Sequence, residues 1–446
     1  MARPNILLVF ADQLRAHELS CMGGPVSTPN LDRLASEGIL FNHAIANCPV
    51  CTPSRGSLLT GKYPLSHGAV VNDLPLPTGQ PTLATAARAS GYLAGYIGKW
   101  HLDGIPRDKF TPPGPRRAGF DDYWAAFECH HNYLEPKYYL DEPELVIREG
   151  YEPEIQTELA IEFMEKCGKK PFLLTVSWGP PHAPYRCGLE EDLAQFDPEG
   201  VALRPNVLDP QLGELAGYQA LTASLDRCMG SLMAYLDGRG LAEKTLVIFT
   251  SDHGDMLYSH GRVKKQQPWE ESIRIPLVMR GPGIQEWDEP CDSLIGITDL
   301  APTILGLAGM EGLGDSAEGE DLSGGILGKS VMARPSIPIM DVVPADQAHL
   351  WGGKEWRGIR TPNYTYARTI DEEWVLYDNR VDPFQMQNLA GRMDHQETRK
   401  YLEEELQEWL NRMKDPFVTA KEHLKDLGLL EAWEERQQHF QKPGRW

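Results

Sequence analysis

Four short apolar runs, at residues 5–11, 92–97, 172–177 and 245–250, are each followed within a few residues by charged or imidazole side chains. Helical apolar spacing appears between them, at 157–167 and 212–236, and a short capped helix ending in glycine is expected over 28–38. That alternation is the rhythm of an α/β fold, with a large mixed, mainly parallel sheet sandwiched by helices. Ligands of such open sheets bind beyond the carboxyl ends of the strands. The groups delivered there are Asp12 and Gln13, Lys99 and His101, His182, and Asp252 with His253. Four separated segments are thus predicted to supply one edge, where a single site can form.

A chain of 446 residues has room for more than one unit. The Gly- and Asp-rich stretch 310–328 lacks periodicity, and after about residue 335 the pattern changes to short strand-like pieces at 337–343, 356–360, 364–368 and 373–377. We expect a site-bearing domain over 1–335. A smaller C-terminal α+β domain over 336–446 would carry a short antiparallel sheet and amphipathic helices at 395–413 and 420–438. A net charge of -21 argues against nucleic acid or an anionic membrane as a partner, yet leaves room for a local cationic pocket. No stretch approaches a transmembrane span. Residues 1–5 run straight into the first apolar strand with no leader-like segment, so the expected location is cytoplasmic, or periplasmic if a signal has been removed. Eight scattered cysteines form no disulfide framework, which agrees with a reducing compartment. Oligomeric state stays open, a homo-oligomer included.

The most specific segment is Cys51-Thr-Pro-Ser-Arg55-Gly-Ser-Leu-Leu-Thr-Gly-Lys62. Pro53 belongs in the first turn of a helix, so residue 51 should sit by free N–H groups that attract an anion. Arg55 adds fixed charge. Two decoys overlap it. Residues 56–62 copy most of a phosphate-binding loop, but Tyr63 stands where a Ser or Thr should hold magnesium. Cys48 and Cys51 have redox-motif spacing, and a disulfide there would consume the Cys51 thiol, so Cys48 is expected to be a small packed residue.

The Cys51-x-Pro-Ser-Arg55 pattern resembles the signature of type I sulfatases in the alkaline phosphatase superfamily. The resemblance spans nearly the whole chain and is strongest over residues 5–103 and 172–280. It implies that a maturation enzyme oxidises Cys51 to formylglycine. A hydrated aldehyde has two hydroxyls: one attacks sulfur, and the other, on losing its proton, expels sulfate. By the same resemblance, Asp12, Gln13, Asp252 and His253 match ligands of a divalent metal, with residue 51 completing the set. Calcium suits these oxygens, with manganese or magnesium as alternatives. Lys99 and His101, in Gly98-Lys-Trp-His-Leu102, match a sulfate-holding lysine and a histidine beside the formylglycine hydroxyls. His182 matches the proton donor to the leaving alcohol, and Lys265 a second sulfate lysine. The implied reaction is hydrolysis of a sulfate monoester on a sugar, phenol or alkyl group.

Gln13 and His253 depart from the Asp and Asn common in sulfatases and match related phosphonate and phosphodiester hydrolases, which keeps that reaction as the alternative. Lys99 and His101 favour sulfate. Asn72 is a candidate for sulfate contact or a turn residue. Glu128, His130, His131 and Asn132 are candidates for a substrate subsite or a plain surface loop, and Trp351 and Trp356 for sugar stacking or core packing.

Overall fold

The computed structural model describes residues 3–441, the side chain of Trp351 excepted. The four apolar runs become strands β1 (Asn5–Asp12), β3 (Leu93–Lys99), β7 (Phe172–Pro181) and β8 (Thr245–Ser251). They lie side by side in the order β8-β1-β7-β3, and every pairing among them is parallel. Parallel neighbours end on the same side, so the polar residues that follow them meet at one edge. The complete sheet has 11 strands. On one flank of the central four lie β2 (Ile39–Ile45), β9 (Arg274–Ile275), β10 (Leu277–Arg280) and β11 (Cys291–Gly296). On the other are β4 (Tyr123–Phe127), β5 (Lys137–Tyr139) and β6 (Leu145–Ile147). The sheet is mixed because β10 runs antiparallel to both β8 and β2, and β5 antiparallel to β4.

Alternation along β1 divides the core. Ile6, Leu8 and Phe10 pack on the layer holding helices α2 (Cys51–Thr60), α3 (Leu83–Ala89) and α6 (Leu300–Leu307). Leu7, Val9 and Ala11 pack on α1 (Pro29–Ser36), α4 (Glu152–Cys167) and α5 (Leu212–Gly238). Both faces are therefore covered, as continuous apolar strands of a parallel sheet require. No described helix is long and apolar enough to cross a membrane.

The second sheet is four antiparallel strands in sequence order: β12 (Ile337–Asp341), β13 (Trp356–Arg360), β14 (Tyr364–Thr369) and β15 (Glu373–Asp378). Its core is continuous with the first: Val50, Tyr63 and Val70 pack with Met340, Ile359 and Tyr366. Helix α7 (Gln396–Met413) follows. The helix expected over 420–438 is two, α8 (Ala420–Asp426) and α9 (Leu430–Phe440). Gly428 divides them, at a φ of 70° that glycine accepts without strain. Trp356 is 1% exposed, and its indole N–H donates to the Gln266 carbonyl. It is a core residue, not a sugar platform. The side chain of Trp351 lies outside the described residues.

Candidate active site

Residue 51 opens helix α2, and every residue of that helix is buried. Its N-terminal N–H groups are not all free, because the Thr52 N–H donates to Asn72 Oδ1 at 3.0 Å. Asn72 thus caps the helix beside residue 51. Around the Cys51 sulfur stand Lys265 Nζ at 3.0 Å, His253 Nε2 at 3.2 Å, Asp12 Oδ1 at 3.9 Å and Lys99 Nζ at 4.0 Å. Burial and Asp12 push the thiol pKa up, but Lys265, Lys99 and His253 outweigh them and hold it well below the ordinary value. The pocket stabilises negative charge at this position.

Arg55, one turn further along the helix, is 1% exposed and ties the carboxylates together. Its Nη2 lies 3.3 Å from Asp12 Oδ2 and 3.0 Å from Asp252 Oδ2, while Nη1 donates to the Lys99 carbonyl and to Ser177 Oγ. Lys99 Nζ also pairs with Asp12 Oδ2. The two acids respond differently. Burial would raise Asp12, yet Lys99, His182, Arg55 and Lys265 keep it well below the usual carboxylate range. Asp252 is raised by burial and by the Asp12 charge.

Asp12, Cys51, Asp252 and His253 present ligand atoms within 4.8 Å of one another, all buried. Arg55 bridges both acids, yet burial and the Asp12 charge still push Asp252 up, and the added charge of a divalent cation would let both ionise. The His253 Nδ1–H donates to the Gly254 carbonyl at 3.0 Å, which leaves Nε2 facing the cluster, where it could coordinate a cation. The donor set therefore fits a metal. Gln13 joins through its amide: Nε2 donates to Asp255 Oδ2 at 2.6 Å, and Oε1 accepts from Lys265 Nζ at 2.8 Å.

The histidines separate by role. His101 bonds Asp73 through Nε2 at 3.1 Å. Burial disfavours its charged form, but Cys129, Asp73 and Cys51 pull harder and raise its proton affinity. His182 uses Nδ1 on the Ala183 carbonyl at 2.8 Å, which leaves Nε2 as the free nitrogen. Burial, His131 and Lys265 hold its pKa well down. His131 stacks flat on His182, with ring centroids 4.1 Å apart, so it reaches the site. His130 does not; its Nε2 turns to Glu152 Oε2 at 3.2 Å. Glu128 is a loop brace, accepting the Asp103 and Gly104 N–H groups.

Sequence reasoning missed Asp73, Asp255, Tyr185 and Ser177. Asp255 and Tyr185 sit inside segments already singled out, and their 2.6 Å hydrogen bond braces Gln13. Asp73 follows Asn72 directly. Arg436, which reaches Asp73 at 3.0 Å from helix α9, gave no local signal.

Comparison with known proteins places the chain among relatives. The Sulfatase family profile matches residues 4–310, and the profile of the N-sulphoglucosamine sulphohydrolase C-terminal region matches 259–412. The chain is 39% identical to an ulvan-active sulfatase of Formosa agariphila, over 95% of this chain and 84% of that one. It is 30% identical to an endo-4-O-sulfatase of Bacteroides thetaiotaomicron, over 94% of each. A solved Bacteroides fragilis structure assigned to the sulfatases superposes with a TM-score of 0.85 at 30% identity, covering 94% of this chain and 97% of that one. The chain belongs to the sulfatase family, as a type I sulfatase of the alkaline phosphatase superfamily, and is a sulfate ester hydrolase.

Proposed function

We propose that this sulfatase hydrolyses a sulfate monoester on a saccharide by S–O cleavage at residue 51. Cys51 would first be oxidised to formylglycine by a maturation enzyme. The observation that carries the reading is the pair of lysine amines, Lys265 and Lys99, flanking the Cys51 sulfur above Asp12. The modified residue supplies an oxygen nucleophile, and a cation held by Asp12, Gln13, Asp252 and His253 supplies positive charge beside it. Calcium suits the oxygen donors; manganese or magnesium are the alternatives. Lys99 and Lys265 meet the charge of the sulfuryl group from prearranged positions, which is often the largest catalytic contribution. His182 donates a proton from Nε2 to the leaving oxygen. The cations that hold it unprotonated in the free pocket are offset when an anionic ester enters. The saccharide class is supported by the names of the relatives, which act on ulvan or carry endo-4-O-sulfatase activity.

A second reading, phosphonate monoester or phosphodiester hydrolysis, is favoured by Gln13 and His253 standing where sulfatases commonly carry Asp and Asn. Mass spectrometry of the peptide bearing residue 51, with turnover of an aryl sulfate beside an aryl phosphonate ester, decides among these. An unmodified thiol in active protein removes the mechanism. Faster phosphonate turnover transfers the assignment to the second reading. A panel of defined sulfated saccharides then identifies the natural alcohol.

A further inference from the structure

Strand β6 ends one side of the large sheet, and among the described residues β5 is its one neighbour. The Arg148 N–H donates to the Pro136 carbonyl at 3.1 Å, in the same register that sets Ile147 opposite Lys137. Bonded and non-bonded positions alternate in an antiparallel pair, so Glu144, Val146 and Arg148 turn their backbone groups toward β5. Leu145 and Ile147 direct theirs outward. A row of outward N–H and C=O groups is a template for a further strand.

The side chains say what kind of strand fits. Val146 packs on the core face with Tyr138, while Leu145 and Ile147 stand on the opposite face, 39% and 52% exposed. On that face Tyr139 lies beside Leu145 and stacks on Phe127 with ring centroids 5.8 Å apart, so an apolar layer runs out to the edge and stops there uncovered. Leu134 and Leu140, 46% and 40% exposed, enlarge the patch from the same hairpin. Glu144 and Arg148 flank the strand. Arg148 lies over the Tyr138 ring at 5.9 Å, and among the described residues neither side chain joins an ion pair.

We infer that this edge docks a second copy of the chain, the two β6 strands pairing antiparallel about a two-fold axis at Val146. The segment Glu144-Leu-Val-Ile-Arg148 is its own complement: acid, three apolar residues, base. In this register Leu145 of each copy lies opposite Ile147 of the other, at the positions whose backbone groups point outward. Glu144 lies opposite Arg148 of the other copy, at non-bonded positions, where side chains come closest. Slipping the register by two residues sets Leu145 opposite Glu149 in one direction. In the other it puts Pro143, which has no N–H, at a bonded position. Charge and backbone together therefore select one partner and one register. So short a strand buries less than a standard interface, and the dimer is a weak one, with a dissociation constant of about 10 µM. The inference is independent of the reaction assigned to residue 51.

Sedimentation velocity of the full chain, over concentrations from about tenfold below to about tenfold above that constant, tests it. The average mass should rise from 49.9 kDa toward that of two copies and no further, because a two-fold contact closes on itself. Ile147→Lys, which sets a charge on the edge, should abolish the rise. Glu144→Arg alone and Arg148→Glu alone should each weaken the dimer by at least about tenfold, since like charges then face each other twice. An equimolar mixture of those two variants should dimerise as the wild type does, because each meets its opposite in the other. A wild type that stays at 49.9 kDa, growth beyond two copies, or variants that associate like the wild type overturn the inference. So does a mixture that fails to recover, which is the result if the two side chains act only within their own copy. Should a charge variant fail to fold, Ile147→Lys still decides, with a melting temperature near wild type as its control because the side chain it replaces is half exposed.

Discussion

Two regions of this molecule bury arginine against carboxylate, and they do so to different ends. In the second sheet the pairs are closed: Arg360 meets Glu270 at 2.7 and 3.4 Å, and Arg357 meets Asp415 with both oxygens engaged. Each cation has its anion and nothing is left over. At the carboxyl edge of the large sheet the charges do not close. Asp12 and Asp252 share Arg55, one acid is pushed down and the other up, and Lys99 and Lys265 stand over a thiol drawn toward its anion. Closed pairs fix an interface, because removing either partner strands a buried charge. Open clusters can be completed by guests, which on the proposed reading would be a cation and an anionic sulfate ester.

Substitutions can break this contrast. The largest effect is expected at residue 51: Cys51→Ala should abolish turnover of an aryl sulfate while leaving the melting temperature near wild type, and retained activity would contradict the open-cluster assignment. Next, Lys265→Ala should cost about 10²- to 10³-fold in turnover, the scale of losing one preorganised partner of a developing charge, with stability held or improved because a buried cation is removed. A large melting-temperature drop without that kinetic loss would reclassify Lys265 as structural. Third, Arg360→Ala should cost about 3–5 kcal/mol of stability by stranding Glu270, read as a shift in urea midpoint, while turnover per folded molecule stays near wild type.

The smallest effect sharpens the contrast through pH. Despite burial, Arg360 draws Glu270 down to about 2 from 4.5. The stability it contributes is present above pH 4.5 and lost as pH falls through 2. Glu152, by contrast, is pushed up to about 8 by burial. Its folded form keeps a proton the unfolded chain gives up, so stability is fullest below 4.5 and declines as pH rises through 8. Glu270→Gln should therefore flatten the acid side of the melting-temperature profile, and Glu152→Gln the side from pH 5 to 8. Identical profiles for the two variants would remove the distinction.

Much of the open cluster was legible in the sequence because its members sit where strands end. Apolar runs announced β1, β3, β7 and β8, and the residues just past them are the ones that meet. Strands such as β2, with the half-buried Asn42 and His43, and β4, which follows the acidic pair Asp121 and Asp122, gave no such signal. Their place depends on pairing partners far along the chain. The neighbours His130 and His131 show the limit at finer scale: no spacing rule says which of two adjacent histidines stacks on His182 and which turns to Glu152. The break at Gly428 shows it again, since one residue of left-handed backbone divides an otherwise continuous helical pattern. Asp73 and Arg436 were silent because their roles exist only once the last helix has docked.

Helix α2 is buried along its whole length, and the Cys51 side chain is 1% exposed. An enzyme that must hold this segment in its own cleft cannot reach it once the sheet has closed over it. On the proposed formylglycine reading, conversion of residue 51 would therefore have to come before the strands that bury it assemble. Slower translation or a lower expression temperature would then change the active fraction of a preparation without changing a single contact in the finished molecule.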